Sequence, residues 1–354
     1  MTTVHPFAMV CCHQGAEAPL KTQLAATGWR LAFSRPGFVS FKHSSDDPSR
    51  QLELPRNVFA RTSSWSLGNV VGDRTAELTE RLLALLTETV GERRFDQLHL
   101  WARDRLPAGE RNYEPGFEPL THAIAEDVHR RLAASDRVTA DAANRIAEIG
   151  ESVLDVVLVE PTRWMIGWHS AEAFPPSRWP GGFPPIDFAH DVVSRAYFKA
   201  AEAILWSGLP IKPGDVAVEI GSAPGGAAQR LLELGLRVIG VDPAEMDPRV
   251  LEHPGFTHLQ ARGGDLKRSE YQSARWLLVD SNVRPDKTLV TVGNIVGNRR
   301  VSIEGMLLTL KIGRYDQADR IPGWCQTIRG WGYSKIEVRQ LATGRCEVCI
   351  AARR

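Results

Sequence analysis

Nine residues limit what this chain can fold into more than any other stretch: Val218-Glu219-Ile220-Gly221-Ser222-Ala223-Pro224-Gly225-Gly226. The apolar run Val216 to Ile220 leads in, and the helical run Ala227 to Leu234 leads out. Glycines at such a junction let the backbone turn sharply and let a ligand approach where any Cβ would collide. In an open α/β sheet this junction sits at the carboxyl ends of the strands, where ligands bind.

The second half of the chain keeps the same alternation. Ser194 to Trp206 reads as a helix, and Arg237 to Val241, Phe256 to Gln260, Trp276 to Asp280 and Gly305 to Leu310 read as strands. Tyr333 to Leu341 and Cys346 to Ala352 flank Ala342-Thr343-Gly344-Arg345 and read as a β-hairpin. The prediction is an α/β domain, a doubly wound and mostly parallel sheet with one antiparallel strand from the closing hairpin.

A boundary precedes it. Phe174 to Phe188, FPPSRWPGGFPPIDF, holds five prolines and two glycines in fifteen residues, which removes backbone donors and disfavours helix. It reads as an extended linker or surface loop. Upstream, Phe7 to Cys12 is a short apolar run, Ala16 to Thr27 is helical in spacing and Gly37 to Phe41 reads as a strand. Thr75 to Val90 is an amphipathic helix with Leu78, Leu82, Leu85 and Leu86 on one stripe. Gln97 to Trp101, Ser152 to Val159 and Trp164 to Trp168 read as strands and His122 to Ala133 as a helix, so this region is α+β. Its Trp65, Trp101, Trp164 and Trp168 read as core or surface residues rather than ligands.

With 354 residues, the chain has material for two or three domains. Five scattered cysteines form no disulfide framework and suit a reducing compartment. Every apolar run is short and broken by charge, and Met1 to Val10 lacks the pattern of a signal peptide, so the expected location is the cytoplasm, without a membrane. The net charge of +1 hides a gradient, because Ala261 to Arg354 carries seventeen Arg and Lys against nine Asp and Glu. Such an excess is equally a solvated surface and a footprint for nucleic acid.

Acidic residues follow the next two strands, Asp242 after Arg237 to Val241 and Asp265 after Phe256 to Gln260. The first can accept from both hydroxyls of a ribose, and the second from an adenine amino group. The loop lacks the G-x-G-x-x-G spacing that seats a pyrophosphate, and Pro224 removes a donor that a phosphate would use. Glu219 suits a cation better than an anion. A nucleoside carrying a positive sulfonium fits these residues better than a dinucleotide.

Residues 219–226 also resemble the D-L-G-x-x-P-G-G loop of the FtsJ-like ribose methyltransferases, with Glu219 where that family has Asp. Ser194-Arg195-Ala196-Tyr197-Phe198-Lys199 is similar to its S-R-x-x-x-K helix, with Ala196 where the bacterial ribosomal RNA enzymes of the family have Ser. Leu278-Val279-Asp280, Leu308-Thr309-Leu310-Lys311 and Arg345-Cys346-Glu347-Val348 resemble its later motifs. The resemblance is specific over Asp191 to Arg354. Upstream, Leu54-Pro55 with Phe59-Ala60-Arg61 is similar to a motif of the bacterial members that methylate a cytidine ribose in 23S ribosomal RNA.

That resemblance implies a Rossmann-like methyltransferase domain at 189–354 behind a linker at 174–188. It implies a ferredoxin-like segment at 1–72 and a THUMP-like RNA-binding domain at 73–173. It implies S-adenosyl-L-methionine as cofactor, held by Glu219, Gly221, Ala223, Pro224, Gly225, Gly226, Asp242, Asp265 and Asp280. It implies a catalytic set of Lys199, Asp280, Lys311 and Glu347, an RNA substrate and no metal. A ribose hydroxyl needs its proton withdrawn, and an ordinary lysine with a pKa of ~10.4 is protonated at neutral pH. The expectation is that Lys199 beside Lys311 lowers the pKa of Lys311, the general base, while the carboxylates orient the amines.

Taken alone, Lys311 would be a surface charge and Asp280 a turn residue; their order in the set is what argues for function. Cys346 and Cys349 have C-x-x-C spacing without a second ligand pair and read as apolar residues of a buried strand. Two alternatives remain: the same chemistry on a transfer RNA or cap-like end, and a non-catalytic RNA-binding protein that keeps the fold. A nicotinamide oxidoreductase is disfavoured by the loop spacing.

Overall fold

The computed structural model describes residues 7–44, 52–116, 118–188, 190–298 and 301–354. Residue 189, the expected start of the second domain, lies outside them, as does the beginning of the first. The chain forms two compact units, Met1–Pro185 and Ile186–Arg354.

The first unit contains β1 (Phe7–Cys11), α1 (Glu17–Ala25), β2 (Trp29–Arg35), β3 (Phe38–His43), β4 (Thr62–Val71), α2 (Thr75–Val90), β5 (Gln97–Ala102), α3 (Pro119–Ala134), β6 (Ser152–Glu160) and β7 (Arg163–Ser170). One seven-stranded sheet, ordered β2-β3-β1-β4-β7-β6-β5, runs through it. It is antiparallel except where β5 joins β6. The pairing of β4 with β7 carries this sheet across the 72/73 division expected from sequence. Leu78, Leu82 and Leu86 of α2 pack with Val128 and Leu132 of α3 onto Leu98, Leu154 and Ile166 of the sheet.

Sequence reasoning missed β2 and β4, and both have a register shift, between Leu31 and Phe33 and between Ser66 and Gly68. A bulge breaks the alternation of inward and outward residues by which a strand is recognised.

The proline-rich stretch also departs from expectation. It is no exposed linker: Trp179, Pro180, Gly181, Gly182 and Phe183 are buried, and the first unit extends to Pro185. Arg61, itself buried, explains this. Its Nε donates to Gly181 O at 3.0 Å, its guanidinium lies 4.1 Å from the Phe183 ring, and its Nη1 pairs with buried Asp104 at 2.5 Å. The prolines remove donors that a buried segment would otherwise have to satisfy.

The second unit contains α4 (Ala196–Ser207), β8 (Val216–Ile220), α5 (Gly226–Glu233), β9 (Arg237–Val241), α6 (Pro248–Leu251), β10 (Phe256–Leu259), α7 (Arg268–Tyr271), β11 (Trp276–Asp280), α8 (Pro285–Val296), β12 (Gly305–Lys311), α9 (Ile321–Gly330), β13 (Lys335–Arg339) and β14 (Glu347–Arg353). Its sheet is ordered β10-β9-β8-β11-β12-β14-β13, parallel from β10 to β12, with β14 antiparallel to both neighbours. This is the expected Rossmann-like α/β sheet with its closing hairpin. The strand order reverses between β8 and β11, so a crevice opens at their carboxyl ends. Among the described residues no helix is long and apolar enough to cross a membrane.

Removing one partner of a buried ion pair strands the other charge, at a cost of about 3–5 kcal/mol. Asp104→Ala is therefore expected to lower unfolding stability in urea by about that amount, whereas removing the exposed partner of Arg56, Glu172→Ala, costs about 1 kcal/mol or less. Equal losses in the two variants would show that Arg61 does not depend on Asp104.

Candidate active site

Strand ends bring the charged residues of the second unit together. Asp280 closes β11, Lys311 closes β12, Glu347 opens β14, and Lys199 lies on α4. The antiparallel register sets Lys311 directly opposite Glu347, and the parallel register sets Asp280 beside Thr309. Thr309 and Lys311, two apart on one strand, share a face of the sheet.

The four side chains form a closed ring of alternating charge. Lys311 Nζ donates to Asp280 Oδ1 at 3.1 Å and to Glu347 Oε2. Lys199 Nζ pairs with Asp280 Oδ2 and lies 3.4 Å from Glu347 Oε1. Each carboxylate thus gives one oxygen to each lysine. Lys311 is the more open of the two amines, with 29% of its side chain exposed against 16% for Lys199.

The ring sets the protonation of Asp280 and Lys311. Burial would raise the Asp280 carboxyl, but Lys199 and Lys311 outweigh it and hold Asp280 below the usual carboxylate range. Burial pulls Lys311 down, yet Glu347 and Asp280 prevail and hold it above the ordinary lysine value. This reverses the sequence expectation of a lowered Lys311, because its amine lies against two carboxylates, Glu347 and Asp280.

The glycine turn is pressed against this ring. Gly221 has φ +84, and a Cβ there would lie 2.5 Å from the backbone oxygen of Asp280. A Cβ on Gly226 would lie 2.7 Å from Ser194 O, so this glycine lets the start of α5 abut the start of the helix that carries Lys199. Ala223 N donates to Asp242 Oδ2 at 3.3 Å and Ala244 N to Oδ1 at 2.9 Å, with Pro224 and Gly225 completing the turn. Asp265 stands farther out, exposed in a short turn whose Gly263 backs onto Ile220. Two acids beyond a glycine loop, with no basic side chain in the loop itself, suit the hydroxyls of a nucleoside and a cationic sulfonium, as in S-adenosylmethionine. Among the described residues no group of three or more His, Cys, Asp or Glu side chains could hold a metal ion.

Glu219 corrects another expectation. It is buried, and burial pushes its carboxyl up to about 8, with Asp280 and Asp242 raising it further against a 2.7 Å hydrogen bond from Ser222 Oγ. At neutral pH it is mostly uncharged here, so it does not offer the carboxylate that the sequence argument gave it. Cys346 also differs, lying exposed in the turn before β14, whereas Cys349 is buried. Sequence reasoning passed over Ser222 and over Glu202, a buried acid on α4 whose only signal was its spacing three residues past Lys199.

The FtsJ-like methyltransferase family matches residues 192–299. Over longer spans the chain is similar to proteins named ribosomal RNA large subunit methyltransferase M. The one from Halorhodospira halophila is 33% identical over 292 residues, 77% of this chain and 76% of that protein. The one from Methylococcus capsulatus is 28% identical over 348 residues, covering 94% and 92%, and the one from Hahella chejuensis is 26% identical over 364 residues, covering 96% and 88%.

The protonation of Glu219 makes a sign prediction. Its folded-state pKa of about 8 lies above the ordinary 4.5, so between those values the folded chain keeps a proton that the unfolded chain has lost. The stabilisation from this group is complete below pH 4.5 and is lost as pH rises through about 8, by up to about 1.4 kcal/mol per pH unit. Glu219→Gln should therefore gain stability relative to the parent between pH 5 and pH 8 in urea unfolding, and parallel pH dependences would refute the burial argument.

Proposed function

The chain belongs to the family of ribosomal RNA large subunit methyltransferase M, and on that premise we propose that it methylates the ribose 2′-hydroxyl of a cytidine in 23S ribosomal RNA. One observation carries the chemistry: two lysines and two carboxylates in an alternating ring at the carboxyl ends of β11 and β12, beside the glycine turn. S-adenosylmethionine supplies the methyl group. Gly221, Ala223, Pro224, Gly225, Gly226, Asp242, Asp265 and Asp280 are the residues that hold it in this reading, with Glu219 beside them as an uncharged carboxyl.

In its neutral fraction, Lys311 Nζ is the base that takes the hydroxyl proton, and as the more exposed of the two amines it is the better placed to reach it. Lys199 keeps a second positive charge beside the oxygen as that oxygen loses its proton. Asp280 and Glu347 keep both amines in place, so that much of the barrier is met by alignment, which can be worth about 7 kcal/mol or more. No metal has a role in this reading, and the place of work is the cytoplasm.

The ring lies wholly within the second unit, which leaves the first free to select the RNA. Residues 1–72 act as a ferredoxin-like segment and 73–173 as a THUMP-like RNA-binding region, the two sharing one sheet that is separate from the sheet carrying the ring. The basic excess of Ala261 to Arg354 suits a polyanionic partner.

The test is to incubate the protein with labelled S-adenosylmethionine and large-subunit ribosomal RNA, then digest the RNA to nucleosides. Label in 2′-O-methylcytidine is expected, and label in a base would refute the assignment. Lys311→Ala should lower kcat about 10²- to 10⁴-fold while leaving the affinity for S-adenosylhomocysteine nearly intact. The neutral fraction of an amine rises tenfold per pH unit below its pKa, and Lys311 lies above ~10.4. Log kcat of the parent should accordingly rise with a slope near one through the neutral and mildly alkaline range, and a flat profile there would remove Lys311 as the base.

A further inference from the structure

Glu202 is fully buried on α4, three residues past Lys199 and therefore on the same helical face. Its carboxylate accepts three hydrogen bonds, each 2.8 Å long: Ala342 N to Oε1, and Thr343 N and Thr343 Oγ1 to Oε2. Buried Arg339, at the end of β13, brings its Nε to 3.9 Å from Oε1. Near the start of the same helix, Arg195 Nη2 donates to Thr343 O at 3.1 Å. Thr343 is thus gripped on its amide, its hydroxyl and its carbonyl by α4.

Apart from the approach of Arg339, which ends β13, these contacts fall on the connection between β13 and β14. Gly344 N donates to Leu341 O at 2.9 Å to close the turn, and Glu347 opens β14 three residues after Gly344. The turn sits so near the ring that a Cβ on Gly344 would lie 3.3 Å from Glu347 Oε1. One helix therefore carries Lys199 directly and holds the turn that leads into Glu347. An apolar side chain could fill the same space without the cost of burying a carboxylate. What it could not do is fix two adjacent amides and a hydroxyl at one point.

We propose that Glu202 is a positioning residue for the transfer site, holding the Ala342–Thr343 turn to α4 so that the Glu347 carboxylate bridges Lys199 and Lys311. The kinetic part of this inference rests on the methyl-transfer reading above; the structural part does not.

The experiment compares the full-length protein with Glu202→Gln, which keeps the shape but turns an amide N–H toward backbone donors, and with Thr343→Val, which removes one donor only. Three quantities are read: kcat and KM for methyl transfer, melting temperature, and the titration midpoint of the Lys311 amine by NMR. In Glu202→Gln, kcat is expected to fall roughly 10- to 100-fold, as misplacement by about 1 Å does, with KM for S-adenosylmethionine near the parent value. The Lys311 midpoint should move down as Glu347 withdraws, and Thr343→Val should show the same changes in smaller measure. A lowered melting temperature with parental kcat and an unmoved Lys311 midpoint would overturn the proposal. If Glu202→Gln does not fold, Thr343→Val decides by the same midpoint. An inactive parent would count against the methyl-transfer reading alone, because the midpoint still judges Glu202.

Discussion

Two ammonium groups cannot share a half-buried site unless anions separate them, and the second unit is built around that constraint. Asp280 and Glu347 each divide their two oxygens between Lys199 and Lys311, so that no like charges are neighbours around the ring. Three of the four sit at strand ends whose register is set by backbone pairing. The fourth is on a helix held close by Gly226 and tied to the hairpin by Glu202. Shifting β14 by one residue would turn Glu347 to the other face of the sheet and break the ring.

The arrangement that gathers the amines also keeps a proton on Lys311. Burial favours a neutral Lys311, but two adjacent carboxylates favour the ammonium more strongly. A ring of this kind is well suited to orientation and poorly suited to supplying a free base in its resting state. In the proposed reaction, chemistry at Lys311 depends on what replaces or repels its carboxylate partners when substrates bind, and its greater exposure makes it the member best placed for such an exchange.

Much of the second unit was legible in the sequence, for identifiable reasons. β8, β9 and β11 are short apolar runs because both faces of a parallel sheet are covered, and their bounds could be read directly. The helices α8 and α9 went unread; α9 contains Pro322 and Gly323 and owes its place to packing by Trp324 and Ile328. In the first unit, β2 and β4 were hidden by bulges, and the proline-rich stretch concealed its burial because its anchor, Arg61, lies more than a hundred residues away. The four ring residues could be nominated from motif order. Their one-oxygen-per-amine pairing could not, since it depends on register across β11, β12 and β14, and with it went the direction of the Lys311 shift.

In the proposed reaction a ribose hydroxyl meets a methyl donor at the ring. The most direct measurement is a crystal structure with S-adenosylhomocysteine and a short oligoribonucleotide bound. A ribose 2′-oxygen is expected within about 3 Å of Lys311 Nζ, with the cofactor sulfur facing that oxygen. A base nitrogen facing the sulfur instead, or a nucleoside bound away from the turn at Gly221 to Gly226, would contradict it.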